Sequence, residues 1–579
     1  MRSLLRLVLI GLAWTVASAA VADAPSKHRS VGDVWWRHAV VYEIYVRSFQ
    51  DSDGDGIGDL NGITQRLDYL RDLGVDAIWI SPMFPSPQVD FGYDISDYRD
   101  IDPQYGTLAD FDRLVVEANK RRIHVLIDMV MNHTSDRHSW FSDAASSRSD
   151  PKHDWYVWND GIVGADGRAQ PPNNWVSLFG GSAWEWVPAV KQFYYHKFYK
   201  QQPDLNWRNP AVEAAMFSAI RFWLDRGVSG FRLDAVPTLF EDPALRDEPV
   251  LGGRNAQGDP NLDHIYTDNL PEVHGTIRRL RALIDSYPGH RLLIGETYLP
   301  KTASLDAWYG GAKHNELQLP MDMLIGFGPT LDASTLRRLL TEVYSQIHGS
   351  QPLLVFDNHD NIRSWDRFGD GKHNDEIAKI VAALLLTSKS TALLYQGEEL
   401  GQRTATPSRV EDVRDPIGIT GWPMEKGRDG ERTPMQWDTS NAQAGFSSNP
   451  KTWLPVTPSY TEINVASESA RADSLLNWHK RLIELRRQTE ALRDGTVKML
   501  NRTDASVLSF ARISRHGKAV LVFLNLSGTQ RTVPFDLHSA GVSGTDVTTL
   551  LASAATLDRN AYGQRAALGP FGALIVGVE

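Results

Sequence analysis

Short apolar runs rich in β-branched residues alternate with amphipathic stretches along most of the chain. Eight runs have the length of a strand: Ala39–Val46, Ala77–Ile80, His124–Met129, Gly230–Leu233, Leu292–Gly295, Leu317–Leu319, Leu353–Phe356 and Ala392–Tyr395. Between them lie stretches with helical periodicity, such as Leu108–Arg122 and Ala211–Arg226. Strands that alternate with helices predict a parallel α/β sheet, and eight such strands are the number that closes a (β/α)8 TIM barrel.

Two stretches are longer than the connections of a barrel require. The first, 134–208, follows the third strand and contains seven of the 18 tryptophans, and it predicts an inserted domain. The second, near 401–458, predicts a long loop insertion. After Gly495 an alternation of apolar and polar residues replaces the helical periodicity, which predicts a C-terminal antiparallel β-sandwich domain at 495–579. The barrel then occupies 33–133 and 209–494.

The first 22 residues have the pattern of a secretory signal peptide. Arg2 and Arg6 precede the apolar run Leu7–Ala17, and small residues follow at Ala17–Ala22. The apolar run is too short to span a bilayer. We therefore expect export to a periplasm or to the medium, with no membrane attachment once residues 1–22 are removed.

Composition narrows the possible chemistry. The 579 residues carry a formal net charge of −11 and include no basic block, which argues against a nucleic-acid partner. Cysteine is absent, so disulfides, thiolate metal sites and a cysteine nucleophile are excluded. The chain contains 18 Trp, 18 Tyr and 20 Phe, and aromatic faces of this kind suit sugar rings. Composition leaves the oligomeric state open.

Polar residues appear where the predicted strands end, which is where a barrel of this type carries its active site. They are Asp128 with Asn132 and His133, Arg232 with Asp234, Glu296, and Asn358 with His359 and Asp360. Carboxylates that face one another suit the cleavage of a glycosidic bond, which needs a proton donor and a second carboxylate. Arg232 lies two residues before Asp234, so both side chains point to the same face of the strand. The alternative is that each carboxylate only caps a helix or pairs within a loop.

A set of short motifs occurs in a characteristic order. The motifs are GVDAIWISP (Gly74–Pro82), GYDISDY (Gly92–Tyr98), DMVMNH (Asp128–His133), QPDLN (Gln202–Asn206), GFRLDAV (Gly230–Val236), GETY (Gly295–Tyr298), FDNHDNIR (Phe356–Arg363), YQGEELG (Tyr395–Gly401) and RTPMQWD (Arg432–Asp438). This ordered set resembles the α-amylase family of glycoside hydrolases (family 13), and within it the α-glucosidase and oligo-1,6-glucosidase branch. In such enzymes the insertion after strand 3 is called domain B.

The resemblance implies roles for individual residues. Three carboxylates would be catalytic, with Asp234 as nucleophile, Glu296 as general acid/base and Asp360 as transition-state stabiliser. Substrate would contact Tyr93, His133, Arg232 and His359, supported by Asp128. An Asp94–Arg432 pair would close the pocket behind the non-reducing sugar. The implied mechanism is a retaining double displacement, for which the carboxyl groups of the nucleophile and the acid should lie about 5–5.5 Å apart.

The resemblance also implies a substrate class, a small oligosaccharide attacked from its non-reducing end. Ala235, directly after the nucleophile, resembles enzymes that prefer α-1,4 links and so favours an exo-acting α-glucosidase, with possible transglucosylation. Three alternatives remain: an oligo-1,6-glucosidase, a sucrose- or trehalose-directed glucosyl transferase or isomerase, and a non-catalytic sugar-binding relative. Retention of Asp234, Glu296 and Asp360 argues against the last.

The segment from Asp51 to Asp59 has the spacing of a calcium-binding loop. Carboxylates stand at Asp51, Asp53, Asp55 and Asp59, and the carbonyl of Ile57 supplies a further ligand. Position 12 of the loop is Gly62 rather than glutamate, which argues against a regulatory EF-hand. We expect a structural Ca²⁺ or Mg²⁺ ion and no organic cofactor. The alternative is a solvated turn rich in Asp and Gly.

Overall fold

The computed structural model describes residues 34–579 except 348, 543, 545, 561 and 562. The predicted signal peptide, 1–22, lies outside the described residues. Within the described ranges, no helix has the length and apolar character needed to cross a membrane.

Eight parallel strands form a closed barrel, as predicted. In chain order they are β1 (Val40–Ile44), β2 (Ala77–Ile80), β3 (His124–Val130), β4 (Gly230–Asp234), β5 (Leu292–Gly295), β6 (Leu319–Asp322), β7 (Leu353–Val355) and β8 (Thr391–Tyr395). Each strand pairs with its neighbours in the chain, and β1 pairs with β8 to close the barrel. The sixth strand begins later than predicted because the backbone N–H of Leu317 donates to the carbonyl of Trp308 in the preceding short helix, Leu305–Tyr309.

Alternate residues of the barrel strands pack into two separate apolar cores. Val41, Leu126 and Leu393 belong to an apolar cluster inside the barrel. Their sequence neighbours, such as Tyr42 and Val125, belong to a larger cluster that includes residues of the surrounding helices. Because both faces are buried, the strands are apolar runs rather than alternating ones.

The barrel strands are connected by helices of ordinary length and by several short ones. The longer helices are Leu108–Lys120, Pro210–Asp225, Glu272–Asp285, Ala333–Gln346, Asn374–Thr387 and Leu475–Gln488. The shorter helices are Leu60–Gln65, Leu67–Leu73, Ser139–Ala144, Leu305–Tyr309, Met323–Gly326, Ser364–Arg367, Pro416–Gly421, Val465–Ala470 and Glu490–Asp494. Local sequence sets their starts, since Thr107 and Asp110 form a capping box and Pro210 follows the capping Asn209.

The stretch after β3 folds into small antiparallel sheets. One sheet joins Trp158–Asn159, Gln192–Tyr195 and Trp184–Val187, and a second joins Ile162–Val163 and Ala169–Gln170. The seven tryptophans of this stretch are buried or half-buried. Several of their rings contact each other, as in Trp140–Trp155 at 5.1 Å and Trp175–Trp184 at 5.9 Å between ring centroids. This tryptophan cluster therefore stabilises a region that has few regular elements.

A hairpin after β4 was not predicted. It joins Val250–Arg254 and Pro260–Leu262, and the first of these strands is exposed throughout. The stretch 401–458 has only short helices and no strand within the described chain, in agreement with the predicted loop insertion.

The C-terminal region is an antiparallel sheet of six strands, connected as one sheet. Its order is Thr496–Met499, Val507–Ile513, Ala519–Asn525, Gly563–Val578 and Arg531–Phe535, and Val547–Asn560 also pairs with Gly563–Val578. The barrel and the C-terminal antiparallel region of the predicted fold are confirmed. The exact domain boundaries at 133/134, 208/209 and 494/495 stay predictions.

Candidate active site

Three carboxylates converge on Arg232 at the C-terminal end of the barrel. Asp128 lies two residues after Leu126 of the barrel interior, and it is aligned with Arg232 across β3 and β4. Arg232 donates through Nη1 to Asp128 Oδ1 at 3.2 Å and to Asp234, and its Nη2 lies 2.9 Å from Glu296 Oε1. The guanidinium is 1% exposed. One arginine therefore holds three buried carboxylates, including the predicted nucleophile and the predicted acid.

The turn after β4 brings a backbone donor to Glu296. Ala235 has φ 41° and ψ 37°, a left-handed conformation that is uncommon outside glycine. Its N–H donates to Glu296 Oε2 at 2.8 Å. Both oxygens of Glu296 are thus engaged, one by Arg232 and one by the residue that follows the nucleophile. The strained turn positions the acid against the nucleophile.

The third carboxylate, Asp360, lies among cations. Its Oδ1 accepts from Arg428 Nη1 at 3.0 Å and from Arg432 Nη2 at 2.7 Å, and its Oδ2 lies 3.2 Å from His359 Nε2. Burial alone would raise the pKa of Asp360, but the positive charges of Arg428 and Arg432 hold it well below its usual range. Asp360 is therefore a fixed negative charge.

The pKa values of the other two acids, Glu296 and Asp234, are shifted in the opposite direction from that of Asp360. Burial raises the pKa of Glu296 to about 7, and the nearby Asp234 and Asp360 add to the rise. Burial also raises the pKa of Asp234, and the attached Arg232 opposes that rise. A carboxyl group with a pKa near neutrality can carry the proton that glycosidic cleavage needs, and the hydrogen bond from Arg232 favours the ionised form of Asp234.

Tyr93 and two histidines line the same space. The Tyr93 hydroxyl donates to Asp128 Oδ2 at 3.1 Å and lies 2.8 Å from His359 Nε2. His133 Nε2 lies 3.2 Å from the carbonyl oxygen of Tyr93. Burial lowers the pKa of both histidines to about 3, so both are neutral at ordinary pH. Tyr93, His133 and His359 therefore lie together, as the resemblance implies.

The predicted Asp94–Arg432 pair needs correction. Asp94 accepts from the Ser86 hydroxyl at 2.8 Å and from the backbone N–H groups of Val89 and Asp90 at 2.9 and 3.0 Å. It is fully buried and stabilises its own loop instead of reaching the site. Arg432 does reach the site, where it donates to Asp360 and to the His359 carbonyl oxygen.

The acid–arginine pair at this position is Asp90–Arg428, which sequence reasoning missed. Arg428 Nη2 donates to Asp90 Oδ1 at 2.9 Å, and Gln202 donates to the other oxygen at 3.1 Å. Arg428 also binds Asp360 and Asp415. Each missed residue stands close to a recognised motif, Asp90 three residues before Tyr93 and Arg428 four before Arg432. Inspection of the motif flanks for an opposite-charge pair could have found both.

The acidic loop beside β1 brings three of its carboxylates together. Ligand atoms of Asp51, Asp53 and Asp59 all lie within 4.8 Å of one another. Asp55 is not in this group, and its Oδ1 accepts from the Ile57 N–H at 2.7 Å. Burial and the neighbouring acids Asp53, Asp51 and Asp59 raise the pKa of Asp55. Oxygen donors that repel one another in this way fit a hard divalent cation.

Buried, paired carboxylates at the C-terminal end of a parallel barrel suit the cleavage of a glycosidic bond. A family model described as "Alpha amylase, catalytic domain" matches residues 43–495. The chain belongs to the α-amylase family.

Individual relatives cover most of the chain. A probable α-glucosidase of Rhizobium meliloti is 43% identical over 86% of this chain and 90% of its own length. An oligo-1,6-glucosidase of Parageobacillus thermoglucosidasius is 38% identical over 84% of this chain and 90% of its own. Among solved structures, the trehalulose synthase MutB of Pseudomonas mesoacidophila superposes with a TM-score of 0.85 at 33% identity, over 95% of this chain and 100% of that chain.

Proposed function

We propose that this protein is an exo-acting, retaining α-glucosidase that releases glucose from the non-reducing end of short α-glucosides, with a preference for α-1,4 links. The observation that carries the proposal is the contact of one buried arginine, Arg232, with both Asp234 and Glu296. A shared arginine brings the two carboxyl groups together, and the proposed direct attack by the nucleophile requires a separation of about 5–5.5 Å between them.

The first chemical step forms a covalent intermediate. A carboxylate oxygen of Asp234 attacks C1 of the glucosyl unit while the Glu296 proton passes to the glycosidic oxygen. The bond between C1 and the leaving sugar breaks, and a β-glucosyl ester of Asp234 remains. Asp360, ionised and held by two arginines, stabilises the positive charge that develops at C1.

The second step returns the enzyme to its starting state. Glu296, now ionised, takes a proton from a water molecule, whose oxygen attacks C1 and displaces Asp234. Two inversions leave the released glucose in the α configuration. A sugar hydroxyl in place of the water molecule gives transglucosylation by the same route.

Exo action rests on the pair Asp90–Arg428. Arg428 ties Asp90, from the loop after β2, to Asp360, from the loop after β7. Charge-assisted bonds between two loops close one side of a pocket and present fixed acceptors and donors to sugar hydroxyls. The preference for α-1,4 links rests on the small Ala235 beside the nucleophile.

Product analysis tests the proposal. The wild-type enzyme and Asp234→Asn are incubated with maltose, isomaltose, sucrose, trehalose and maltotriose, and the anomer formed first is followed by NMR. We expect α-glucose, hydrolysis of maltose ahead of isomaltose, and release of single glucose units from maltotriose. Isomaltose as the better substrate favours an oligo-1,6-glucosidase, and rearranged disaccharides from sucrose favour an isomerase like the matched trehalulose synthase. Turnover by Asp234→Asn near that of the wild type contradicts the mechanism.

We further propose that the acidic loop holds a structural Ca²⁺ or Mg²⁺ ion. Asp51, Asp53 and Asp59 would bind it, with Asp55 and the Ile57 carbonyl as further ligands. The bound ion would neutralise the carboxylates and so stabilise the loop next to β1. Chelation by EDTA should lower the unfolding temperature of the wild type but not that of Asp53→Ala, and added Ca²⁺ should restore it. An unfolding temperature that is unchanged by EDTA contradicts the proposal.

Export is proposed from residues 1–22. N-terminal sequencing of the protein recovered from the medium or periplasm should give a chain that starts within the twenties. A full-length chain retained in the cytoplasm contradicts the proposal.

A further inference from the structure

Glu43 is a buried carboxyl group for which the mechanism above has no use. It lies near the C-terminal end of β1, two residues after Val41 of the barrel interior. It is 0% exposed, and its Oε1 lies 2.5 Å from Nδ1 of His359. Its other oxygen, Oε2, has no hydrogen-bond partner of normal geometry in the described part of the chain. Within the described part of the chain, the side chain of Glu43 thus hydrogen-bonds to the predicted substrate-binding site through His359.

The other ring nitrogen of His359 faces hydrogen-bond acceptors. Asp128 accepts from Trp79 and Arg232, so the single hydroxyl hydrogen of Tyr93 points to Asp128. The Tyr93 oxygen, 2.8 Å from His359 Nε2, is then an acceptor, and Asp360 Oδ2 at 3.2 Å is another. Nε2 must carry a hydrogen. In a neutral imidazole Nδ1 is then an acceptor, and its partner must be a donor.

Two protonation states satisfy this geometry, and burial decides between them. Glu43 can be a neutral acid that donates to Nδ1, or it can be an anion that accepts from an imidazolium. An ionised Glu43 would leave a charged oxygen without a partner in a fully buried site, which costs more than an unpaired neutral carbonyl. Burial raises the pKa of Glu43 and lowers that of His359 to about 3, so both shifts favour the neutral pair. The charged groups and the tyrosine that act on the pair are Asp128, Arg232, Asp360, Tyr395, Arg428 and Arg432.

We propose that Glu43 is a positioning residue that donates a hydrogen bond from a protonated carboxyl group to Nδ1 of His359 and so holds the Nε2–H of His359 toward the sugar site. This inference rests on the proposed α-glucosidase function. His359 would then offer a fixed donor to a sugar hydroxyl, beside Tyr93 and Asp360. Without Glu43 the ring can take the other tautomer, with hydrogen on Nδ1 and an acceptor facing the substrate.

Two variants distinguish a neutral donor from an anion. Glu43→Gln keeps the shape and an N–H donor for Nδ1, and Glu43→Leu keeps the approximate volume but no donor. We expect Glu43→Gln to retain kcat/KM within about threefold. Glu43→Leu should lose about tenfold or more, the scale on which the outer hydrogen-bond partner of a functional histidine acts. The alkaline limb of the pH profile should be the same in Glu43→Gln as in the wild type, because no charge is removed.

Other outcomes overturn the inference. An equal loss in both variants, or an alkaline limb in Glu43→Gln displaced to lower pH, means that Glu43 is an anion that raises the pKa of Glu296. Full activity of Glu43→Leu means that Glu43 positions nothing. If Glu43→Leu fails to fold, ¹⁵N NMR of the histidine-labelled wild type and Glu43→Gln still shows which ring nitrogen of His359 carries the hydrogen. The variant His359→Asn assigns the signal. A protonated Nδ1 on His359 refutes the proposal, whether or not the enzyme hydrolyses any α-glucoside.

Discussion

Arg428 offers the sharpest test of how the pocket is built. It donates four hydrogen bonds to three carboxylates: Nε and Nη2 to Asp415 at 2.7 and 3.1 Å, Nη1 to Asp360 at 3.0 Å, and Nη2 to Asp90 at 2.9 Å. Its side chain is 15% exposed. The planar guanidinium is what allows one cation to meet three acids from three segments of the chain.

Arg428→Lys keeps the charge and removes this geometry. A lysine ammonium is a point charge that can remain with Asp415 but then lies away from Asp90 and Asp360. Hydrogen bonds to charged groups contribute about 1.5 kcal/mol or more each, so two lost bonds amount to about 3 kcal/mol. If these two hydrogen bonds stabilise the transition state, their loss lowers kcat/KM about a hundredfold, since 1.4 kcal/mol corresponds to a factor of ten.

The assay is steady-state hydrolysis of 4-nitrophenyl α-glucoside and maltose, with thermal unfolding as a check on folding. Arg409→Lys is the matched control, because Arg409 lies in the same long loop and forms a surface ion pair with Asp412. We expect its kcat/KM to stay within about twofold of the wild type. Asp90→Asn should lose activity as well, and its effect should not add fully to that of Arg428→Lys. If Arg428→Lys keeps kcat/KM within threefold of the wild type, the three-carboxylate contact does not close the pocket.

Two further predictions concern the acid and the barrel. Because the general acid must be protonated in the first step and burial raises the pKa of Glu296 to about 7, kcat/KM should fall as pH rises through about 7. Burial also raises the pKa of Asp234, whose protonation should lower kcat/KM on the acid side. A profile that stays flat to about pH 9 contradicts the assignment of Glu296. Gly326→Ala should destabilise the protein by about 1–3 kcal/mol in denaturant unfolding, since its Cβ would lie 1.7 Å from the backbone oxygen of Val355 in β7. Gly328→Ala is the control, because its Cβ would meet ordinary contacts at 3.8 Å, and equal stability of the two variants refutes the packing argument.

The sequence predicted the barrel because its strands are buried on both faces. Most of them are runs of apolar residues interrupted by single polar ones, and their closure follows from the number of strands and the helices between them. The hairpin that contains Val250–Arg254 could not be predicted in this way. Its first strand is exposed throughout, so no pattern of burial marks it. Likewise Val547–Asn560 pairs with a single strand and lacks a clear apolar alternation.

The proximity of the carboxylates that were predicted to be catalytic has a geometric reason. Strand ends at one edge of a barrel converge whatever the loops do, so Asp234 and Glu296 had to lie close together. Their contact with a common arginine, Arg232, follows from the two-residue spacing on β4. What the spacing could not indicate is the protonation of Glu296, which depends on burial by distant segments.

The direction of a side chain is harder to predict in a loop than in a strand, and Asp94 and Asp90 illustrate the difference. Both are acids in one loop, within three residues of Tyr93, and either could have met an arginine. A strand fixes the direction of each side chain by its period of two, whereas a loop fixes it by backbone turns. Here the backbone N–H groups of Val89 and Asp90 turn inward onto Asp94, which leaves Asp90 to face Arg428. The residue that reaches the sugar site is therefore decided by which carboxylate the loop needs for its own hydrogen bonds.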